Sequence, residues 1–276
     1  RGHKVIAVAS QRMPRWTGEE PAAGYAFAGL VAFSDPIRPG VAEAVAQARA
    51  AGIRVIMITG DHARTAAAIA RETGIGGAEP QLIDGEALAA RLAAGETLAD
   101  IDAIARCTPA QKLALVETLR GAGEVVAVTG DGVNDAPALR GADIGIAMGQ
   151  RGTRSAREAA AIVLLDDNFA TIIRAIGEGR QLFTNLRLAF AYLLMIHAPL
   201  VLTAALIPLM GYPLLYLPLH IVWLELILHP TSMLVFQNLP ANGALTQARA
   251  RGRTRFFTPG EWAAIALAGA TATLFV

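Results

Sequence analysis

The feature that most restricts the fold is a stretch without Asp, Glu, Lys or Arg at residues 188–224. The hydrocarbon core of a bilayer is about 30 Å thick and takes about 20 apolar residues per helix. The stretch therefore predicts two membrane-spanning helices, at residues 188–210 and 214–237, joined by a tight turn at residues 211–213. A further apolar segment at residues 261–276 predicts the start of another such helix.

The composition agrees with a chain that is partly embedded in a membrane. It is 54% hydrophobic and 17% charged, with a mean hydropathy of +0.43, whereas soluble domains carry about 25% charged residues. The net charge of +1 gives no reason to expect a nucleic-acid partner. The single cysteine, Cys107, excludes an internal disulfide and fits a reducing compartment. Because the chain begins without Met and ends within an apolar segment, we expect it to be part of a longer polypeptide.

Before residue 188, short apolar runs alternate with helix-like segments. This alternation favours the α/β class, with a doubly wound parallel sheet that is followed by an all-α transmembrane hairpin. Predicted strands lie at residues 4–10, 25–33, 53–58, 104–107, 126–130, 144–147 and 162–165, with a less regular strand and helix at 81–95. Predicted helices lie at residues 41–51 and 63–73, and another begins at Pro109 behind a Thr108 N-cap.

The strand at residues 126–130 ends in a loop rich in glycine and oxygen ligands. Asp131 and Asp135 are hard oxygen ligands of the kind that Mg²⁺ prefers. Gly132 lets the backbone approach an anion, and Asn134 offers hydrogen bonds to phosphate without adding negative charge. The carboxyl end of a parallel strand is a common place for such groups, so the loop predicts a site for Mg²⁺ and a phosphoryl group.

Two further motifs fit this chemistry. Thr59-Gly60-Asp61 follows another predicted strand, and Lys112 lies in the first turn of a helix. Together with the loop at residues 129–135, they resemble the haloacid-dehalogenase-like phosphotransferases. The resemblance implies that a strand-end Thr and a helix Lys hold the phosphoryl group and that the acidic loop holds Mg²⁺. The alternative is an ordinary Rossmann-like sheet with acidic turns.

A longer set of motifs resembles the phosphorylation domain of cation-pumping P-type ATPases. The matching segments are residues 35–39, 57–62, 109–112, 129–139 and 166–169. The resemblance implies ATP-driven transport through an aspartyl-phosphate, with Mg²⁺ and ATP as cofactors and a cation as the transported substrate. The roles that it implies are a Mg²⁺ ligand in Asp131 and loop support by Gly132, Asn134 and Asp135. The implied catalytic residues are Thr59, Gly60, Asp61 and Lys112, of which Thr59 and Lys112 contact the phosphoryl group and Asp61 lies near nucleotide.

Parts of that family's machinery have no counterpart in the sequence. The phosphorylated aspartate of the family lies in a DKTGT motif, which is absent, as are most of the nucleotide-binding domain and the actuator domain. Thr17-Gly18-Glu19 matches the actuator's TGE tripeptide, but we interpret it as a coincidence because it lies in a polar connector. The chain alone is therefore expected to be inactive, and its partners are expected to include the rest of the same polypeptide.

The resemblance also predicts domain boundaries and an orientation in the lipid bilayer. Arginines lie at both outer ends of the hairpin and none lies in its turn, so the α/β domain is expected in the cytoplasm, at a bacterial plasma membrane. The predicted parts are the end of the nucleotide-binding domain with a connector at 1–23, the phosphorylation domain at 24–175, a stalk at 176–187, the hairpin at 188–237, a cytoplasmic basic loop at 238–260, which includes Arg249, Arg251, Arg253 and Arg255, and the next transmembrane helix at 261–276.

The hairpin carries the candidate ion pathway. Glu225 is the only carboxylate between Arg187 and Glu261, and an ionisable group within a membrane is a functional candidate. His229 lies one helical turn later on the same face. A proline within a helix leaves a carbonyl without its usual partner, and such carbonyls can serve as cation ligands. The expected pathway residues are Glu225, His229, His197, Pro230 and Pro199.

The nature of the cation stays open at this point. The resembling calcium pumps carry oxygen ligands where this chain has Glu225, a Leu and His229, and they carry Asn and Glu where it has His197 and Leu200. Imidazole suits borderline metals better than Ca²⁺, and a Glu/His pair can also transfer protons. The alternatives are packed neutral histidines and an interhelical hydrogen bond from Glu225.

Two other functions also stay open. One is a membrane-anchored phosphatase of the same α/β fold, and the other is an inactive fragment that acts in assembly or regulation. Helices that only anchor a phosphatase need no carboxylate beside a helix-breaking proline. An inactive fragment need not keep Lys112, Asp131 and Asp135 together. Both observations favour the pump.

Overall fold

A computed structural model describes residues 4–13, 18, 20–33, 36–237, 239 and 256–275. Several residues of the sequence analysis lie outside the described part of the chain, namely Thr17 and Glu19, Asp35, and the arginines of segment 249–255. The chain divides into two compact units. One comprises residues 1–49 and 53–172, and the other comprises residues 50–52 and 173–276.

The first unit begins with an antiparallel hairpin of β1 (Lys4–Ser10) and β2 (Ala26–Phe33). Both strands agree with the predicted ones. The pairing has a register shift between Val8 and Ala9. Among the described residues, β2 pairs only with β1. The hairpin is therefore separate from the parallel strands that follow.

The parallel strands form two three-stranded sheets, with the orders β3-β5-β4 and β6-β7-β8. The strands are β3 (Met57–Ile58), β4 (Leu82–Asp84), β5 (Ala103–Ala105), β6 (Ala127–Gly130), β7 (Ile144–Met148) and β8 (Ile162–Leu164). The predicted α/β class with parallel strands is confirmed. In the described chain, β3 and β6 each lie at the edge of their sheet.

The strand at residues 53–58 is shorter than predicted, because only Met57 and Ile58 pair with β5. The backbone still alternates as in a strand. Ile56 and Ile58 pack on one apolar cluster, and Val55 and Met57 pack on another. Since both faces are covered, residues 55–58 are all apolar, although Val55 and Ile56 have no hydrogen-bonded neighbour in a strand. Cys107 belongs to the first cluster and is buried, so it is a core residue.

Helices connect the parallel strands, and local signals set their ends. These are α1 (Val41–Ala50), α2 (Ala63–Thr73), α3 (Gly85–Ala94), α4 (Pro109–Gly121), α5 (Ala136–Gly141) and α6 (Arg154–Ala159). Gly74 ends α2 in the left-handed conformation, at φ 74°. Asp84 caps α3 by accepting a hydrogen bond from the Ala87 N–H. At the start of α4, Thr108 and Gln111 form a reciprocal capping box.

Close packing of β7 against α5 leads to a first prediction, for Gly145→Ala. A Cβ at Gly145 would lie 3.1 Å from the carbonyl carbon of Leu139 and nearer still to its oxygen. Because backbone must shift to admit the methyl group, we expect a cost of about 1–3 kcal/mol. The amides of β7 should then exchange with solvent about tenfold faster or more.

The matched control for this substitution is Gly121→Ala. Gly121 ends α4, and no atom lies within 4 Å of a Cβ built there. Exchange in β7 should be unchanged in this variant. Equal exchange rates in the two variants would contradict the packing argument.

The second unit contains most of α7 (Phe169–Leu209), together with α8 (Pro218–Gln237) and α9 (Pro259–Phe275). By length and composition, α7 and α8 are able to cross a membrane. The predicted stalk and first span lie in one continuous helix of 41 residues. The connection to α8 occupies residues 210–217 and is longer than the predicted turn, because α8 begins only at Pro218.

Candidate functional site

The loop that follows β6 is organised around Asp135. One oxygen of its carboxylate accepts hydrogen bonds from the Gly132 N–H at 3.1 Å and from the Asp131 N–H at 3.3 Å. A Cβ at Gly130 would lie 2.5 Å from the Cβ of Asp135, closer than side chains tolerate. Glycine at this position therefore lets the end of the strand pass directly beside Asp135.

The ammonium group of Lys112 pairs with the other oxygen of Asp135. The Nζ atom donates to Oδ1 at 2.7 Å, and the two side chains are 21% and 13% exposed. The capping box of α4 fixes the first helical turn, which carries Lys112. A charge-assisted hydrogen bond with this little exposure holds the positive charge beside the loop.

The charge of Asp135 is maintained by these contacts. Burial by itself would raise the pKa of this carboxyl, but hydrogen bonds from Lys112 and from the Gly132 and Asp131 N–H groups outweigh burial. They hold the pKa below its ordinary value of 3.8. Asp135 is therefore anionic at neutral pH.

This lowered pKa gives a second prediction, on the acid sensitivity of the loop. A group whose pKa is depressed by folding stabilises the fold above its unfolded pKa, here 3.8, and this contribution is lost as the pH falls through the folded-state pKa. We expect the amides of Asp131 and Gly132 to lose protection below pH 3.8 after correction for intrinsic exchange. Asp135→Asn cannot ionise and should lack this transition. A transition that persists in the variant would assign the effect to another carboxyl.

The carboxylate of Asp131 is free within the described part of the chain. Asp131 forms its hydrogen bonds through the backbone, with the N–H donating to Asp135 and the carbonyl accepting from the Thr153 N–H at 2.8 Å. Its side chain and that of Asn134 are both exposed. A free carboxylate at the end of a parallel strand, one residue beyond Gly130, is a suitable hard ligand for a divalent cation.

The Thr59-Gly60-Asp61 turn follows β3 in the neighbouring sheet. The Thr59 hydroxyl accepts a hydrogen bond from the Asp61 N–H at 3.0 Å. The backbone N–H of Cys107 donates to the Thr59 carbonyl, which attaches the turn to the segment that leads into α4. The described residues show no hydrogen bond between Thr59 and Lys112, so the structure brings Lys112 and Asp135 into contact while Thr59 keeps a local partner.

The sequence patterns did not predict how the loop at residues 150–153 is held. Asp167 is 4% exposed and accepts hydrogen bonds from the N–H groups of Gln150 at 3.0 Å and Arg151 at 2.9 Å. Arg38 donates to the Asp167 carbonyl. The held loop then reaches Asp131 through the Thr153 N–H. The signal available in the sequence was the Asp166-Asp167-Asn168 run. In the structure, its middle residue has a left-handed backbone conformation, at φ 50°.

A second cluster joins α7 and α8 within the second unit. His197 Nε2 lies 2.7 Å from Glu225 Oε1, and His229 Nδ1 lies 2.7 Å from Glu225 Oε2. The two imidazole rings are 5.7 Å apart and meet edge to face. The expected helical-turn proximity of Glu225 and His229 is observed, and His197 joins them from the other helix.

Backbone chemistry surrounds this cluster. Nδ1 of His197 donates to the Leu193 carbonyl at 2.7 Å, which fixes one ring nitrogen as the N–H. Pro199 lies inside α7, and Pro230 lies inside α8 immediately after His229. Because proline has no N–H, each leaves a carbonyl of the preceding turn without its usual helical donor.

Comparison with known proteins relates these sites to one family. The family model for haloacid dehalogenase-like hydrolases matches residues 11–143. The chain is 40% identical over 231 residues to a calcium-transporting ATPase of Bacillus subtilis, and the aligned residues make up 81% of this chain and 26% of that protein. It is 47% identical over 209 residues to the cation-transporting ATPase pma1 of Synechocystis, and the aligned residues make up 74% of this chain and 23% of that protein. Over most of its length the chain is similar to P-type ATPases.

The chain spans about a quarter of the length of these relatives. A crystal structure of a zinc-transporting PIB-type ATPase matches it with a TM-score of 0.57 and 24% identity, over 90% of this chain and 36% of that one. At that identity the match speaks for the fold alone. The resemblance drawn from the motifs is thus confirmed at the level of family and fold, and the assigned domain boundaries and residue roles stay predictions.

Proposed function

We propose that this chain supplies the phosphorylation domain and a core membrane helix pair of an ATP-driven cation pump. The observation that carries the proposal is the Lys112–Asp135 ion pair at 2.7 Å beside the free carboxylate of Asp131. Lys112 neutralises phosphoryl oxygens, and Asp135 holds the backbone of the loop so that Asp131 keeps its position. Thr59 offers a hydroxyl to the same phosphoryl group.

The donor set suits Mg²⁺ and the phosphates of ATP. Mg²⁺ commonly binds one or two carboxylates and keeps its other positions for water and phosphate oxygens. Asp131 provides such a carboxylate, and glycine at positions 130 and 132 lets the backbone lie close to the Asp135 side chain that holds the loop. Bound Mg²⁺ would neutralise charge on the transferred phosphoryl group. Asn134 and Gly132 support the loop, and Asp61 and Gly60 lie at the neighbouring strand end, toward nucleotide.

The acceptor aspartate is proposed to come from elsewhere in the polypeptide. No DKTGT motif occurs in the sequence, and β3 and β6 both lie at sheet edges. Parallel pairing places the carboxyl ends of strands at one side of a sheet. A parallel strand that pairs with β3 and β6 would bring an aspartate at its end between Thr59 and Asp131.

The cation is proposed to pass through α7 and α8, near the cluster of Glu225, His197 and His229. Supporting observations are the placement of Glu225 between both histidines and the prolines next to them, Pro199 and Pro230. The α/β domain is proposed to face the cytoplasm, where ATP is available. A bacterial plasma membrane is proposed as the location of the pump.

The experiment is phosphoenzyme formation by the full-length polypeptide. With ATP and Mg²⁺, we expect a phosphoprotein that is stable to acid, labile to hydroxylamine and dependent on a cation. Turnover of simple phosphate esters without cation dependence would favour the membrane-anchored phosphatase. A polypeptide that binds no ATP and forms no phosphoenzyme would favour the inactive regulatory role.

A further inference from the structure

The cluster of His197, Glu225 and His229 has the geometry of a small ligand set. Each residue offers one ligand atom, and these atoms all lie within 4.8 Å of one another. They come from two helices, with Glu225 in the middle. The three side chains are 31%, 31% and 52% exposed, so the hairpin alone does not enclose the set.

The tautomer of His197 argues for an electrophile between these groups. Its Nδ1 carries the proton, because that atom donates to the Leu193 carbonyl. In the neutral ring, Nε2 then presents a lone pair to Glu225 Oε1 at 2.7 Å. Two lone pairs at this distance repel unless a proton or a metal ion lies between them. Metal-ligating histidines are commonly oriented by such a hydrogen bond from the second ring nitrogen.

The ligand types favour a metal of borderline softness. Ca²⁺ takes 6–8 oxygen ligands, and this cluster offers one carboxylate and two imidazoles. Imidazole nitrogen suits Zn²⁺ and its first-row neighbours. A tetrahedral ion with bonds of about 2.0–2.1 Å separates its ligand atoms by about 3.3 Å. The 2.7 Å contacts of Glu225 would open by about half an ångström, and ligand atoms that lie as far as 4.8 Å apart would move closer, both by side-chain rotation.

We propose that His197, Glu225 and His229 bind a divalent first-row transition metal of the Zn²⁺ class. Three protein ligands leave a coordination position open, which suits an ion that must enter and leave. One carboxylate with two neutral imidazoles carries a single negative charge, so the occupied site holds one net positive charge in place of two. The claim that the cluster binds a metal depends only on the geometry of the cluster. The further claim that this metal is the transported cation rests on the proposed function.

The test is direct metal binding by the full-length polypeptide in detergent, without ATP. Co²⁺ serves as the probe, because nitrogen ligands in a low-coordinate site give it visible absorption, and Zn²⁺ serves as the competitor. We expect one Co²⁺ that Zn²⁺ displaces and Ca²⁺ does not. His197→Ala, His229→Ala and Glu225→Gln should each weaken this binding by at least about 100-fold.

His220→Ala is the matched control, since His220 lies near the start of α8 outside the cluster. It should leave Co²⁺ affinity unchanged. Absence of Co²⁺ binding, or binding that the three cluster variants leave intact, would overturn the proposal, and so would displacement by Ca²⁺. A protein that forms phosphoenzyme in response to Ca²⁺ but binds no Co²⁺ would remove the metal assignment and keep the pump. Intact Co²⁺ binding by a protein that forms no phosphoenzyme would keep the metal assignment and remove the pump.

Discussion

Asp131→Asn in the full-length polypeptide is expected to reduce the rate of phosphoenzyme formation from ATP by at least about 100-fold. The amide keeps the size of the side chain and removes the charge that a hard divalent cation requires. Since Asp131 makes its described hydrogen bonds through its backbone, the loop should keep its shape. The measurement is the initial rate of acid-stable labelling at saturating ATP across a range of Mg²⁺ concentrations.

The control for this variant is Glu117→Gln, another carboxylate-to-amide change. Glu117 is exposed on α4 and lies outside the loop. It should label at the rate of the unchanged protein. If Asp131→Asn also labels at that rate, with the same Mg²⁺ dependence, then Asp131 is not the metal ligand and the assignment of the loop is wrong.

Glu225→Gln is expected to uncouple phosphorylation from the cation. The variant keeps hydrogen-bonding atoms near both histidines but removes the only carboxylate of the cluster. We expect the apparent affinity for the stimulating cation to fall by at least about 100-fold, while binding of ATP is unchanged. Cation-dependent labelling measures the first quantity, and displacement of a fluorescent nucleotide measures the second.

Glu178→Gln is the matched control, because it makes the same carboxylate-to-amide change on α7, the helix that carries His197. Glu178 is exposed in the early part of α7, far along the sequence from the apolar segment that carries His197. Cation dependence should be unchanged in this variant. A Glu225→Gln protein with ordinary cation dependence would remove Glu225 from the transport pathway.

Much of the α/β domain could be predicted because its signals are local. The capping pair Thr108 and Gln111 fixes where α4 begins, and Gly74 fixes where α2 ends. The length of β3 could not be predicted, because the apolar run at residues 55–58 reflects coverage on both faces, whereas pairing depends on which residues of β5 lie opposite. The division of the parallel strands into two sheets is likewise a matter of pairing that periodicity does not contain.

In the candidate sites, too, local contacts could be predicted from the sequence and long-range contacts could not. Glu225 and His229 are separated by one helical turn, so their proximity follows from the sequence. The contact of His197 with Glu225 depends on how α7 packs against α8, and spacing along the chain does not determine it. The hold of Asp167 on residues 150 and 151 was also missed, since it requires a left-handed backbone at an aspartate and long-range contacts.

The most direct test of the account is ATP-dependent cation accumulation in sealed vesicles that contain the full-length polypeptide. We predict uptake of a divalent cation that requires ATP and Mg²⁺ and that is lost in both Asp131→Asn and Glu225→Gln. The first variant should fail because it forms phosphoenzyme too slowly, and the second because the cation stimulates phosphorylation only at far higher concentration. ATP hydrolysis without accumulation of any cation, or accumulation that Glu225→Gln leaves intact, would contradict the account.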